Sequence, residues 1–210
     1  EIAVANGYQL GVHAIGDRAN REVLDVYARV LARHPKKDLR FRIEHAQHLD
    51  PADVPRFAKL PVLAMMQGIH CTSDASFVVA RLGEKRAKEG AYAWRRVLDA
   101  GARIGNGTDA PVEDVDPIAS IHASVTRQPA KGPAFFPEQR MTRMETLRSY
   151  TVANAYAAFE EDLKGTLSPR KLADLVVLSK DLSTIPDEEI LSTRVLTTIV
   201  GGKVAFDASR

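Results

Sequence analysis

Hydrophobic and polar positions alternate in the segment RFRIEHAQ, which starts at Arg40. Phe41, Ile43 and His45 share one parity, and Arg42 and Glu44 share the other. A period of two predicts a β-strand. We expect the two charged residues to pair with each other, because an isolated buried charge is costly.

Three more short apolar segments are predicted strands, and each is linked to a segment of helical character. The strands are YQLGVHAI (8–15), PVLAMMQ (61–67) and ARIGNGTDAP (102–111). Helical spacing of apolar residues follows the first strand, behind a candidate cap at Asp17. Asp50–Pro51 and Asp116–Pro117 are further helix starts, and a long loop is predicted from Gly68 to about Gly83. Repeated strand–helix units predict a parallel sheet with helices outside it.

The last third of the chain has a different pattern. A loop rich in proline and glycine spans 128–141, and Thr142 and Glu145 then form a capping box for a helix running to about Phe159. After Gly165 the pattern becomes β: ADLVVLS is a predicted strand, and VLTTIVGGKVAFD is a predicted hairpin about Gly201–Gly202.

Polar side chains stand at the ends of the four predicted parallel strands. The first ends at His13 and the second at His45, the third ends at Gln67 with His70 just beyond, and the fourth ends at Asp109. The carboxyl ends of parallel strands converge on one side of a βα fold. Imidazole nitrogens and a carboxylate suit Zn²⁺ or a similar divalent ion, so this convergence makes a metal site a candidate.

Each of these residues also has a purely structural interpretation. A single histidine at a strand end is more often a hydrogen-bonded structural residue, and Asp109 could organise the turn before Pro111. His34, His48 and His122 are assigned to a helix end, to solvent and to helix packing, respectively. The metal interpretation is favoured only because several strand ends carry a candidate ligand at the same time.

The composition of the 210 residues narrows the classes of partner. The net charge is +2, and 45% of residues are hydrophobic and 27% charged, as in an ordinary globular protein. This balance gives no sign of a nucleic-acid or membrane partner, and neither a signal peptide nor an apolar run long enough to span a bilayer is visible. A single cysteine, Cys71, excludes an internal disulfide framework, so we predict a cytoplasmic protein.

Five separated motifs together resemble the amidohydrolase superfamily, and more narrowly its YtcJ-like branch, amidohydrolase family 3. They are VHAIGDRA, RIEHAQHLDP, GTDAPVEDVDP, YTVANAYAAFEE and GTLSPRKLADLVVLSKD. The resemblance implies an α/β fold: the C-terminal half of a (β/α)₈ TIM-type barrel, strands 5–8, over residues 1–160. It implies that residues 161–210 are part of a small β-sandwich domain.

The same resemblance implies hydrolysis of an amide, cyclic amide or N-acyl bond of a small-molecule substrate. It implies one or two divalent ions, with Zn²⁺ the preferred candidate, held by His13, His45 and Asp109. Asp109 would also be the catalytic proton carrier. The loop that follows the third strand is the candidate for substrate contacts, through Gln67, His70, Thr72 and Asp74, although Asp74 is also a candidate helix cap.

The chain departs from the family pattern at its start. It begins at Glu1 without the His-x-His pair of the first barrel strand and without the bridging residue of a middle strand, and Thr108 stands where serine is common. We therefore expect a C-terminal half that needs an N-terminal half or a second copy of itself, and a homo-oligomer. The alternative is a catalytically incomplete half-barrel that serves as a binding or assembly module. An open-sheet cofactor fold is disfavoured because no Gly-x-Gly-x-x-Gly follows a strand.

Overall fold

The computed structural model describes residues 1–35 and 37–209. Within this part of the chain the strands are β1 Gly11–Ala14, β2 Arg42–His45, β3 Leu63–Gln67, β4 Ile104–Gly107, β5 Leu175–Leu178, β6 Val195–Val200 and β7 Lys203–Asp207. The α-helices are α1 Ile2–Ala5, α2 Asp17–Arg33, α3 Val54–Lys59, α4 Gly68–Ser73, α5 Ala75–Leu82, α6 Glu84–Gly90, α7 Trp94–Asp99, α8 Pro117–Thr126, α9 Arg143–Tyr150 and α10 Val152–Ala157. Two 3₁₀ turns lie at Pro137–Gln139 and Asp187–Ser192.

The first four strands form a parallel sheet in the order β1-β2-β3-β4, as predicted. Their registers align the carboxyl ends: Ala14 faces His45 across one ladder, and Gln67 faces Gly107 across another. Because neighbouring strands run in chain order and in one direction, every side chain at a strand end is delivered to the same edge of the sheet. The prediction of an α/β fold built on a parallel sheet is confirmed.

Helices cover one face of this sheet and form the main core. Leu24 and Tyr27 of α2 pack with Ile43 of β2 and with Phe41 just before it, and all four are 0–1% exposed. The predicted pairing of Arg42 with Glu44 is also confirmed, with 3.0 Å between Arg42 Nε and Glu44 Oε1. The alternation along β2 therefore puts apolar residues against helices and an ion pair on the other face.

The predicted loop from Gly68 to Gly83 is wrong, because helices α4 and α5 occupy most of it. Two predicted caps also differ in position. Gly16 rather than Asp17 precedes α2, and α3 begins at Val54 behind Asp53 rather than directly after Asp50. Short helices such as α4 leave a weak periodic signal, and no side chain caps the start of α2 or α3, which is why these elements were misplaced.

The C-terminal segment follows its prediction more closely. Thr142 and Glu145 form the predicted capping box of α9, although the helix is interrupted at Thr151 before α10. The last three strands form an antiparallel sheet in the order β5-β6-β7. Gly201 and Gly202 make the predicted hairpin turn, with φ angles of 57° and 78° that favour glycine. None of the helices in the described part of the chain has the length and apolarity needed to cross a bilayer.

Candidate metal centre

Side chains from three successive βα units meet at the carboxyl edge of the parallel sheet. Among residues 1–35 and 37–209, His45, His70 and Asp109 each offer one ligand atom, and these atoms all lie within 4.8 Å of one another. His45 ends β2, His70 lies in α4 directly after β3, and Asp109 follows β4. The convergence expected for parallel strands thus brings two imidazoles and one carboxylate together.

Hydrogen bonding fixes the orientation of His45. Its Nδ1 lies 2.9 Å from Oε1 of Gln67, which ends the neighbouring strand β3. When Nδ1–H donates to this amide oxygen, Nε2 keeps a free lone pair, which is the arrangement that a metal-ligating histidine needs. Gln67, predicted to contact substrate, therefore orients His45.

The backbone is unusual at two of the three residues. His45 has a φ of 75° and Asp109 a φ of 63°, both in the left-handed region. Such conformations cost of order 1–3 kcal/mol for residues other than glycine and cluster at functional sites. Both residues lie at the carboxyl edge of the parallel sheet, His45 at the end of β2 and Asp109 just after β4.

His70 is held by the helix that the sequence did not predict. It is 8% exposed, and its Nε2 lies 3.8 Å from Oδ2 of Asp109. That nitrogen is buried and has no hydrogen-bond partner among the described residues. A buried polar atom left unpaired costs about 1–3 kcal/mol, so this orphan nitrogen needs a partner that protein atoms do not supply.

Asp74 sits between α4 and α5, but its carboxylate does not cap a helix. Instead Oδ2 accepts hydrogen bonds from Nε2 of Gln47, at 2.8 Å, and from the hydroxyl of Tyr92. Burial and the adjacent Asp74 carboxylate raise the pKa of Tyr92, so its phenol stays protonated and keeps donating. This network ties the end of the α4 helix to the segment just after β2.

The ring of His48 packs edge-to-face against Tyr92, with 5.4 Å between the ring centroids. Burial lowers the pKa of His48, so the imidazole is held neutral beside the network.

His13, predicted as a ligand, lies next to this group. Its ring centroid is 4.6 Å from that of His45, at an interplanar angle of 72°, and its side chain is exposed. It is the last residue but one of β1 and lies at the same edge of the sheet, as expected, but it is not one of the three residues whose ligand atoms lie within 4.8 Å. Thr72, predicted to contact substrate, donates its hydroxyl to the carbonyl of Ile69 within α4.

Sequence reasoning missed Gln47 and Tyr92, the two donors to Asp74. Gln47 follows His45 by two residues, and this position is the one local signal that could have found it. Tyr92 is far away in the chain and is brought near by a hydrogen bond from its backbone N–H to the carbonyl of Gln47. The spacing of residues in the sequence does not predict this contact between Tyr92 and Gln47.

The residues present fit a divalent cation. Two imidazoles and one carboxylate are the donor types that Zn²⁺ and related ions take in catalytic sites, where three protein ligands leave a position open. The orphan Nε2 of His70 supplies the independent observation, because coordination would satisfy a nitrogen that otherwise lacks a partner.

Comparison with known proteins agrees with this chemistry. The model of the Amidohydrolase family matches residues 1–206. The chain is 42% identical over 202 residues to Protein LONG AFTER FAR-RED 3 of Arabidopsis thaliana, covering 96% of this chain and 34% of that protein. It is 31% identical over 207 residues to the Putative amidohydrolase YtcJ of Bacillus subtilis, covering 97% of this chain and 38% of that protein.

A third relative and one solved structure extend the comparison. The N-substituted formamide deformylase of Arthrobacter pascens is 29% identical over 202 residues, covering 96% of this chain and 37% of that protein. The crystal structure of a metal-dependent hydrolase from Pyrococcus horikoshii superposes with a TM-score of 0.77 at 29% identity, covering 89% of this chain and 37% of that one. The chain thus spans just over a third of the length of the relatives it matches.

Proposed function

This chain belongs to the amidohydrolase family, and on that basis we propose that it supplies part of the catalytic centre of a metal-dependent hydrolase acting on a carbon–nitrogen bond. The observation that carries the proposal is the meeting of ligand atoms from His45, His70 and Asp109 within 4.8 Å. Amide, cyclic amide and N-acyl bonds are the proposed substrate class. The similarity to a formamide deformylase supports an N-acyl bond within that class.

The candidate residues of the chain would have separate roles in holding the ion and in moving the proton. A bound divalent ion, Zn²⁺ being our candidate, would supply an acidified water and polarise the scissile carbonyl. Asp109 would accept the proton of that water and return it to the leaving nitrogen, acting first as base and then as acid. His45, oriented by Gln67, would hold the ion together with Asp109 and a second imidazole from His13 or His70.

The remaining ligands and the rest of the fold would come from outside these residues. We place β1 to β4 as strands 5–8 of a (β/α)₈ barrel within residues 1–160, and residues 161–210 as part of a small β-sandwich. The sequential parallel order and the greater length of the relatives support this assignment. An N-terminal half or a second copy of the chain would then complete the barrel, within a homo-oligomer.

The test is hydrolysis by the polypeptide that carries residues 1–210, loaded with Zn²⁺. A panel of N-formyl, N-acyl and cyclic amides is offered, and amine release is measured with a fluorogenic amine reagent, with Asp109→Asn as the matched control. Metal-dependent release that is lost in Asp109→Asn supports the proposal. A metal-loaded protein that hydrolyses none of the panel, or equal release by the control, would favour a binding or assembly module instead.

A further inference from the structure

Arg127, which directly follows α8, is a fully buried cation held by carbonyl oxygens. It is 0% exposed, and both hydrogen bonds of its guanidinium in the described part of the chain go to the backbone. Nε donates to the carbonyl of Phe135 at 2.6 Å, and Nη1 donates to the carbonyl of Tyr92 at 3.0 Å. Burial lowers the pKa of Arg127. Because burying a charge is costly, these contacts compensate a large loss of hydration.

Aromatic rings supply the rest of the surroundings of this cation. Cζ of Arg127 lies 4.6 Å from the centroid of the Trp94 ring and 5.7 Å from that of Phe135. The faces of aromatic rings attract a cation, and the attraction is stronger away from water. The guanidinium thus joins the start of α7 to the segment 128–141, and its rigid fork fixes the carbonyl of Tyr92.

From Tyr92 the contacts continue to the candidate site. The Tyr92 hydroxyl donates to Oδ2 of Asp74. The backbone N–H of Asp74 donates to the carbonyl of His70 at 2.9 Å. Nε2 of His70 in turn lies 3.8 Å from Oδ2 of Asp109. An unbroken series of contacts therefore leads from the buried Arg127 to the proposed proton carrier.

We propose that Arg127 is a positioning residue for the site at the carboxyl edge of the parallel sheet. It acts through Tyr92 and Asp74, and it sets the distance between His70 and Asp109. The inference rests on the proposed function only in taking these last two side chains to lie at the reacting centre. A group misplaced by about 1 Å can cost a large part of the rate, which is why a distant clamp matters to the reaction.

The competing interpretation gives Arg127 only the task of holding the segment 128–141. The backbone N–H of Phe135 donates to the carbonyl of Arg127 at 2.8 Å, so two hydrogen bonds link these residues. Tyr92→Phe separates the two interpretations. It removes the hydroxyl that binds Asp74 but keeps the backbone carbonyl that Arg127 holds.

Tyr27→Phe is the matched control for the loss of a buried hydroxyl. Tyr27 is 1% exposed and Tyr92 2%, and the Tyr27 hydroxyl also donates one hydrogen bond, to the carbonyl of Arg42 at 2.8 Å. A third variant, Arg127→Lys, keeps the charge but lacks the planar fork that holds two carbonyls at once. Folding of each variant is checked by circular dichroism.

Two measurements on the polypeptide that carries this chain test the proposal without ion or substrate. Hydrogen exchange followed by mass spectrometry is compared in the segments 68–74 and 128–141. Nuclear magnetic resonance of protein labelled at its histidine rings reports the surroundings of His70, whose signal is assigned with His70→Gln.

We expect exchange in segment 68–74 to be about 10-fold faster in Tyr92→Phe and Arg127→Lys than in the wild type, and the His70 signal to shift in both. Tyr27→Phe should leave both quantities at wild-type values. In a preparation that hydrolyses an amide, kcat/KM should fall about 10-fold in the first two variants and less than about 2-fold in the control.

A wild-type exchange rate in segment 68–74 or an unmoved His70 signal in Tyr92→Phe would overturn the proposal. An effect of Arg127→Lys confined to segment 128–141, or unchanged kcat/KM in both variants of an active preparation, would do the same. If Arg127→Lys does not fold, Tyr92→Phe decides. A shifted His70 signal in a protein whose wild type hydrolyses no amide would refute the proposed activity alone.

Discussion

Gly68, the first residue of α4, is the position where a single methyl group should test how the candidate site is held. A Cβ built on Gly68 would lie 2.1 Å from Oγ of Ser124 and 2.4 Å from the backbone oxygen of Ser120. Both atoms belong to α8, and the second is backbone and cannot rotate away. Gly68→Ala should therefore push α4, with His70 on it, away from α8.

Two opposing contributions set the change that Gly68→Ala makes in the free energy of unfolding. Overpacking a close contact costs about 1–3 kcal/mol, and the backbone partner favours the upper half of that range. Removing glycine from the unfolded chain returns about 0.4–1 kcal/mol. We expect a net loss of about 1–2 kcal/mol in the free energy of unfolding, measured by urea denaturation, together with weaker Zn²⁺ binding.

Gly107→Ala is the matched control, because it lies at the end of β4 and a Cβ there would meet no atom within 4 Å. It should leave the free energy of unfolding unchanged or raise it slightly. Adding Ser124→Ala to Gly68→Ala should recover part of the loss, since the Ser120 oxygen would still clash. Wild-type stability and Zn²⁺ affinity in Gly68→Ala would refute this account of how His70 is positioned.

In the polypeptide that carries this chain, Asp109→Asn should lower kcat about 10²–10⁴-fold while most Zn²⁺ affinity remains, because an amide still offers an oxygen but cannot accept the proton. Near wild-type turnover would assign the proton transfer to another group. Residues 1–210 alone should hydrolyse no amide and should associate in light scattering, because among the described residues β1 and β4 each pair along a single edge; an active monomer would contradict both expectations. The Arg95 guanidinium lowers the pKa of Glu145 from 4.5 to about 2, so the stability from this pair is present above pH 4.5 and is lost as pH falls toward 2. Urea denaturation at several pH values should show a weaker loss over this interval in Arg95→Gln, and an identical loss in that variant would contradict the assignment.

Much of the fold could be predicted because its signals are local. The alternation in β2, the capping box of Thr142 and Glu145, and the glycines of the β6–β7 hairpin each depend on residues adjacent in sequence. The location of His45 and Asp109 at one edge also followed from the sequence, since parallel strands in successive units deliver their ends to one side.

The region after β3 could not be predicted, because α4 is defined by distant contacts. It has six residues and no side-chain cap, so it lacks the length and the terminal signals that identify a helix. Ser120 and Asn106 hold its first N–H groups, and neither is near it in sequence. The location of His70 just after β3 was predicted, but its burial beside Asp109 on a helix depends on these distant contacts and could not be inferred from the sequence.

The distant contacts that hold α4 should link ion binding to folding. The three candidate ligands belong to separate βα units, and the contacts that position His70 reach into α8 and, through Asp74, into the segment after β2. An ion that bridges the units binds the folded chain far better than the unfolded one, and at 100 times its dissociation constant it would add about 2.7 kcal/mol to the free energy of unfolding. The contacts that hold His70 beside Asp109 therefore contribute both to the stability of this edge of the sheet and to its affinity for an ion.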